Sequence, residues 1–156
     1  MKKIISNKKE KETSLDNKMV YTGKVNISFT RGGKVIKKTK GKNAGTSYLF
    51  SFLAQCLGGD FNEGSRPKFI KMLNTSSNNI TESYIPFSNI TIDGTVVKFK
   101  FLIPFSSLKS GETVSKLQLF NDSRELLADY DIPTAEQYTL GSGESVVIEW
   151  ELEISN

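Results

Sequence analysis

Catalysis needs groups that move protons, attack electrophiles or hold metals, and this chain offers few of them. Its 156 residues hold no histidine and one cysteine, against 21 Lys and Arg and 17 Asp and Glu. Without histidine, the commonest general base, the commonest metal ligand and every His-dependent triad are missing. Gly141-Ser142-Gly143 sets a serine between glycines, but the full Gly-x-Ser-x-Gly elbow is absent. The segment reads as a turn before the last strand. Glu149, Glu151 and Glu153 alternate, so a strand puts their carboxylates on one face. Glycoside hydrolysis needs two carboxylates opposed across a cleft, so these three read as a solvated or partner-facing surface. Asp60, Glu63, Asp122, Asp129 and Asp131 are oxygen ligands of the kind calcium takes, but they lack EF-hand spacing. No phosphate-cradling loop or dinucleotide fingerprint occurs. Cys56 has apolar neighbours and reads as a small buried hydrophobe rather than a reactive thiol. The expectation is a chain with no catalytic residue, no metal and no cofactor, and so not an enzyme.

Charge is distributed unevenly. Lys24, Arg31, Lys34, Lys37, Lys38, Lys40 and Lys42 follow one another with no acid between them. From Gly111 onward, ten acids face only Lys116 and Arg124. Lysines interleaved with Tyr21 and Phe29 can track a phosphate backbone. The aromatics fall on the core-facing side of the pattern, however, and the acidic third repels nucleic acid, which is therefore disfavoured as a partner. Basic and acidic ends can instead pair between copies of the chain, or simply be solvated. The residues expected at an assembly interface are Lys2, Lys3, Lys8, Lys9 and Lys11 of the N-terminal segment, Lys34, Lys37, Lys38 and Lys40, and Glu149, Glu151 and Glu153.

These groups need elements to position them. Residues 1–18 are rich in Lys, Asn, Ser and Glu and read as an extended basic arm, flexible or bound to a partner. Only Ile4 and Ile5 follow the first lysines, too few for a signal peptide. No run of about 18 apolar residues exists to cross a membrane as a helix. Residues 19–156 read as one domain. Val25, Ile27 and Phe29 alternate with polar residues, Gly32-Gly33 reverses the chain, and Val35 to Thr39 returns, giving a hairpin with a basic outer surface. Tyr48, Leu49, Phe52, Leu53, Cys56 and Leu57 recur at helical spacing, capped by Thr46 or Ser47 and ended by Gly58-Gly59. Phe69 to Leu73 is a short strand and residues 74–83 a polar loop. Phe87 to Ile92, the Asp93-Gly94 turn and Val96 to Ile103 form a second hairpin, with Pro104 as terminator. Val114 to Phe120 and Leu126 to Tyr130 form a third. Val146, Ile148, Trp150, Leu152 and Ile154 alternate through the last strand. About eight strands and one amphipathic helix result. The predicted fold is mainly β: an antiparallel β-sandwich-like domain of two packed sheets.

The stretches GKVNISFTRGGKVIKKTKGKNAGTSYLFSFLAQCLGG, FKFLIPFSSLKSGETVSKLQLFND and SVVIEWELEISN together resemble small virion proteins of tailed bacteriophages that infect low-GC bacteria. The similarity spans roughly residues 20–156, and its motifs are structural. It implies a non-enzymatic building block, made in the host cytoplasm and localised to the virion. Such a block forms homo-oligomers or assembles with other particle proteins, with no membrane partner. It does not separate tail, baseplate, neck, fibre and capsid-surface roles. The alternative is a carbohydrate- or receptor-binding sandwich using Tyr84, Phe87 or Tyr138 as stacking platforms, and after it a basic nucleic-acid-binding module.

Overall fold

A computed structural model describes residues 20–59, 62–85 and 89–155. The lysines of the expected arm and Phe87 lie outside the described residues. The chain is mainly β, with one helix and an antiparallel sheet curled into a half-barrel.

The first hairpin pairs β1 (Val20–Arg31) with β2 (Lys34–Gly45). Gly32 and Gly33 both take positive φ, 55° and 78°. That is the backbone a two-residue turn needs to match the strand twist, and only glycine adopts it without strain. Helix α1 (Ser47–Gly58) follows, then β3 (Pro67–Asn74) and β4 (Asn79–Tyr84). Next come β5 (Ile90–Asp93) and β6 (Val96–Ile103), joined at Gly94. After them come β7 (Thr113–Asn121), β8 (Leu126–Asp131), the two-residue β9 (Tyr138–Thr139) and β10 (Glu144–Ser155). Residues 79–83, expected as loop, belong to β4: Thr81 and Glu82 pair with Met72 and Lys71. A polar edge strand leaves little apolar signal, because one of its sides never meets the core.

The strand order is β4-β3-β7-β8-β2-β1-β10-β6-β5, with β9 added on β7. The sandwich expected from two separate sheets is thus one continuous sheet folded onto itself. β2 is the crease. Its residues 34–43 pair with β1, while Ala44 and Gly45 pair with Asp129 and Ala128 of β8. The fold closes tightly there because Gly41 has no side chain. A Cβ at that position would stand 2.3 Å from the Tyr130 ring.

The longest ladder joins β1 and β10 along all twelve residues, Val20↔Ser155 to Arg31↔Glu144. With β6 on the far side of β10, it builds rows across the inner face: Phe29–Val146–Ile103, Ile27–Ile148–Phe101 and Val25–Trp150–Phe99. All nine side chains are buried. The opposing half contributes rows Ile70–Leu119–Ala128 and Met72–Leu117–Tyr130, also buried. Alternation is the cause: one strand face is apolar, and the curl brings two such faces together.

Helix α1 rests on β8 and the end of β2. Its capping residue Thr46 donates its amide to the Leu127 carbonyl at 2.8 Å and its hydroxyl to the Leu126 carbonyl, so the helix start is pinned to β8. Of the expected stripe, Leu49 is buried, Phe52 and Leu53 are half-buried, and Tyr48 and Cys56 are exposed. Cys56 is therefore exposed and not the buried hydrophobe its neighbours suggested.

Gly41→Ala is expected to cost about 1–3 kcal/mol in urea unfolding by driving a methyl into Tyr130. Leu102→Ala, on the solvent face, should stay within about 0.5 kcal/mol of the parent. Equal costs would mean the crease is packed differently.

Candidate functional site

The lysines of the first hairpin lie on a strand that is paired on one side only. From 34 to 43, β2 hydrogen-bonds to β1. Its opposite edge meets no described strand until Ala44 reaches β8. Half of the backbone amide and carbonyl groups of this stretch thus have no strand to bond. The expected basic outer surface is split. Lys38 and Lys40 lie beside Ser28 and Asn26 on the solvent face, whereas Lys37 lies beside buried Phe29 on the other. Strand alternation sets Lys37 opposite to Lys38 and Lys40; beyond Lys37, toward the turn, a register shift between Phe29 and Thr30 skips Ile36. Among the described residues, no ion pair engages Lys34, Lys37, Lys38, Lys40 or Lys42. Near the turn, Val35 and Ile36 are 51% and 45% exposed.

A cleft of about 560 Å³ runs beside this edge, lined by Lys38, Lys40, Asn26, Thr39, Glu136 and Glu149 among others. The Thr39 hydroxyl donates to Glu136 at 2.5 Å, which ties the middle of β2 to the turn at Thr134–Glu136. Where β2 and β8 part, the Tyr130 ring packs on Gly41 and its buried hydroxyl has no hydrogen-bond partner.

The glutamate ladder is quieter than its sequence suggests. Glu149, Glu151 and Glu153 do share the outward face of β10, but the neighbouring strands answer two of them. Lys98 donates to Glu151 at 2.9 Å, and Lys24 lies 3.8 Å from Glu153. The hydrogen bond to Glu151, followed by its charge, raises the pKa of Lys98. Glu149 sits in register between Asn26 and Lys100. The basic strand and the acidic strand therefore lie in one sheet, separated only by β1. Two of the three glutamates thus have a lysine partner within the chain.

Two polar knots are enclosed. At the open end of β1 and β10, the fully buried Glu144 carboxylate accepts from Arg31 Nη2 at 2.5 Å, Tyr138 Oη at 3.0 Å and the Gly141 amide at 2.7 Å. Burial alone would raise its pKa, but these three donors outweigh it and hold the carboxyl below the ordinary range. Burial, and then the bond to Glu144, raises the Tyr138 hydroxyl. Gly141-Ser142-Gly143 is the turn held by this carboxylate. At the other end, Asn43 accepts from Trp150 Nε1 at 2.9 Å when its amide is oriented to do so, and it then donates to the Tyr21 hydroxyl. Desolvation pushes the Tyr21 pKa well above its usual value. All these donors and acceptors serve the fold.

Of the acids weighed for calcium, Asp60 lies outside the described residues and two are tied locally. Asp129 and Asp131 both take Lys116, at 2.9 and 3.0 Å. Among the described residues, no three His, Cys, Asp or Glu side chains are placed to hold a metal. Tyr138 packs on Phe29 with ring centroids 4.4 Å apart, which removes it as a stacking platform. Tyr84 is 53% exposed and lies beside the Phe69–Phe120 stack. The features that residue-by-residue reading missed are the unpaired edge itself and the orphaned Tyr130 hydroxyl. A signal for the first existed: a strand with lysine on both faces is the pattern that edges use.

Since the folded pKa of Glu144 is depressed, its contribution is present above the ordinary Glu value, about 4.3. It is lost as pH falls through the folded value. Glu144→Gln should cost about 1–3 kcal/mol at neutral pH. It should also flatten the loss of stability between neutral pH and about pH 3, as read by urea unfolding. An unchanged acid slope would contradict the geometry of the knot.

Set against protein-family models, curated proteins and solved structures, the chain matches none.

Proposed function

We propose that this chain is a non-enzymatic structural component of a bacteriophage particle, one that works by docking onto other protein chains. The supporting observation is the β2 edge, where free main-chain groups, unpaired lysines and exposed Val35 and Ile36 coincide. Edges of this kind are a standing invitation to another chain unless they are covered. The body behind it is stiff, since the β1–β10 ladder runs the full length of both strands. The resemblance to small virion proteins supplies the biological setting, with copies of the same chain or other particle proteins as neighbours. Tail, baseplate, neck, fibre and capsid-surface positions all suit it.

Carbohydrate binding is the second reading. Tyr84 favours it, as an exposed ring flanked by Arg124 and Lys71, whose charges sit over Phe69 and Phe120. With Tyr138 engaged against Phe29, a single ring is a small platform.

Antibody detection in density-purified particles of the phage that encodes this chain tests the proposal. The chain should copurify at a fixed stoichiometry that survives washing in high salt. Lys38→Glu combined with Lys40→Glu should reduce its incorporation about tenfold, the effect of losing roughly 1.4 kcal/mol of contact energy. A chain absent from particles would overturn the reading.

A further inference from the structure

Within that reading of the β2 edge as a protein-contact surface, we infer that its partner is an extended acidic segment of another protein, which adds to the sheet as a new strand along residues 34–43. The main chain sets the first requirement. A row of amides and carbonyls with no partner strand is satisfied by another backbone at strand spacing, about 4.8 Å away, and by few other ligands. Side chains set the second. Lys38 and Lys40 project to one face of β2 and Lys37 to the other. A strand whose acids point to both faces and lie opposite the lysines brings their Cβ atoms within about 5 Å of the lysine Cβ atoms. Nucleic acid would reach the lysines of one face only and leave the backbone groups unbonded.

A second copy is a poor occupant by the same test. Pairing β2 with β2 of another copy sets lysine against lysine. The other described edge strands, β4 and β5, carry one acid each, Glu82 and Asp93. Glu82 is already held by Lys71 at 3.3 Å and Arg124 at 3.5 Å. Among the described residues, then, neither of these edges offers a row of acids to match the lysines of β2, and a different chain is the better source.

The edge also has a shape suited to a strand. It is open near the turn, where Val35 and Ile36 offer apolar contact, and it closes where β2 meets β8. The neighbouring cleft, lined by Lys38 and Lys40 and also by Glu136 and Glu149, gives room for side chains.

The test is fluorescence polarisation on the full chain with a labelled peptide of repeating Glu-Glu-Val-Val, which as a strand carries acids on both faces. About ten residues span the edge at ~3.4 Å per residue. The peptide should bind. A version N-methylated at every second residue keeps the charge but loses the main-chain donors, and it should bind at least about tenfold more weakly. Lys38→Glu with Lys40→Glu should weaken the parent peptide by a similar factor. Equal binding of the methylated peptide would overturn strand addition. Tighter binding of a single-stranded oligonucleotide of matched charge would reassign the edge to nucleic acid, and no peptide binding at millimolar concentration would remove the edge as a docking site. Peptide failure with the chain still present in particles sinks this inference alone. Absence from particles with peptide binding intact sinks the particle reading alone.

Discussion

Trp150 lies between Val25 of β1 and Phe99 of β6, with none of its surface reaching water. With the Asn43 amide of β2 turned to accept it, its indole nitrogen is satisfied as well. Four strands therefore meet at one side chain, and burying a residue of this size contributes several times the energy of any surface pair in the molecule. The dry row through Trp150 is what makes β1, β10 and β6 a rigid plate. Because β10 lies between β1 and β6 on that plate, β2 is pushed to its margin. The open edge follows from the core and is not a local irregularity.

The same arrangement decides which charges remain free. β10 sits between two lysine-bearing strands, so its glutamates find Lys98 and Lys24 without leaving the sheet. β2 has only β1 beside it, and apart from Lys24 and Arg31 at its ends β1 offers Asn26, Ser28 and Thr30 on the facing positions. Its lysines stay unpaired. Such pairs and absences are worth little to stability at a solvated surface. They matter more for association, because like charges on an edge repel an identical strand while attracting an acidic one. One row of lysines thus works against pairing with an identical strand.

Much of this was legible in the sequence wherever a strand has one dry face. Val25, Ile27 and Phe29, the run from Val97 to Ile103, and the alternation around Trp150 announced their strands because burial imposes a period of two. Gly32-Gly33 and Asp93-Gly94 announced their hairpins through backbone chemistry. The polar strand β4 was not legible, since an edge strand with mixed faces carries no such period. Nor was the exposure of Cys56, because helical spacing tells which residues share a face but not what covers it. The site was half legible. Lysine density marked β2, but its consequence depends on which strand lies next to it, and local pattern does not contain the order of strands in a sheet. The pairing of Glu151 with Lys98 was hidden for the same reason, since it joins residues 53 positions apart.

Amide hydrogen exchange of the isolated chain, resolved residue by residue over β1, β2 and β10, addresses the open edge most directly. The account predicts slow exchange throughout the interior of β1 and β10, and an alternation in β2. Amides turned toward β1 should be protected, and those between them, across residues 34–43, should exchange at nearly the rate of an unfolded chain. Uniform protection along β2 would show the edge to be already covered within the molecule, and would contradict the account.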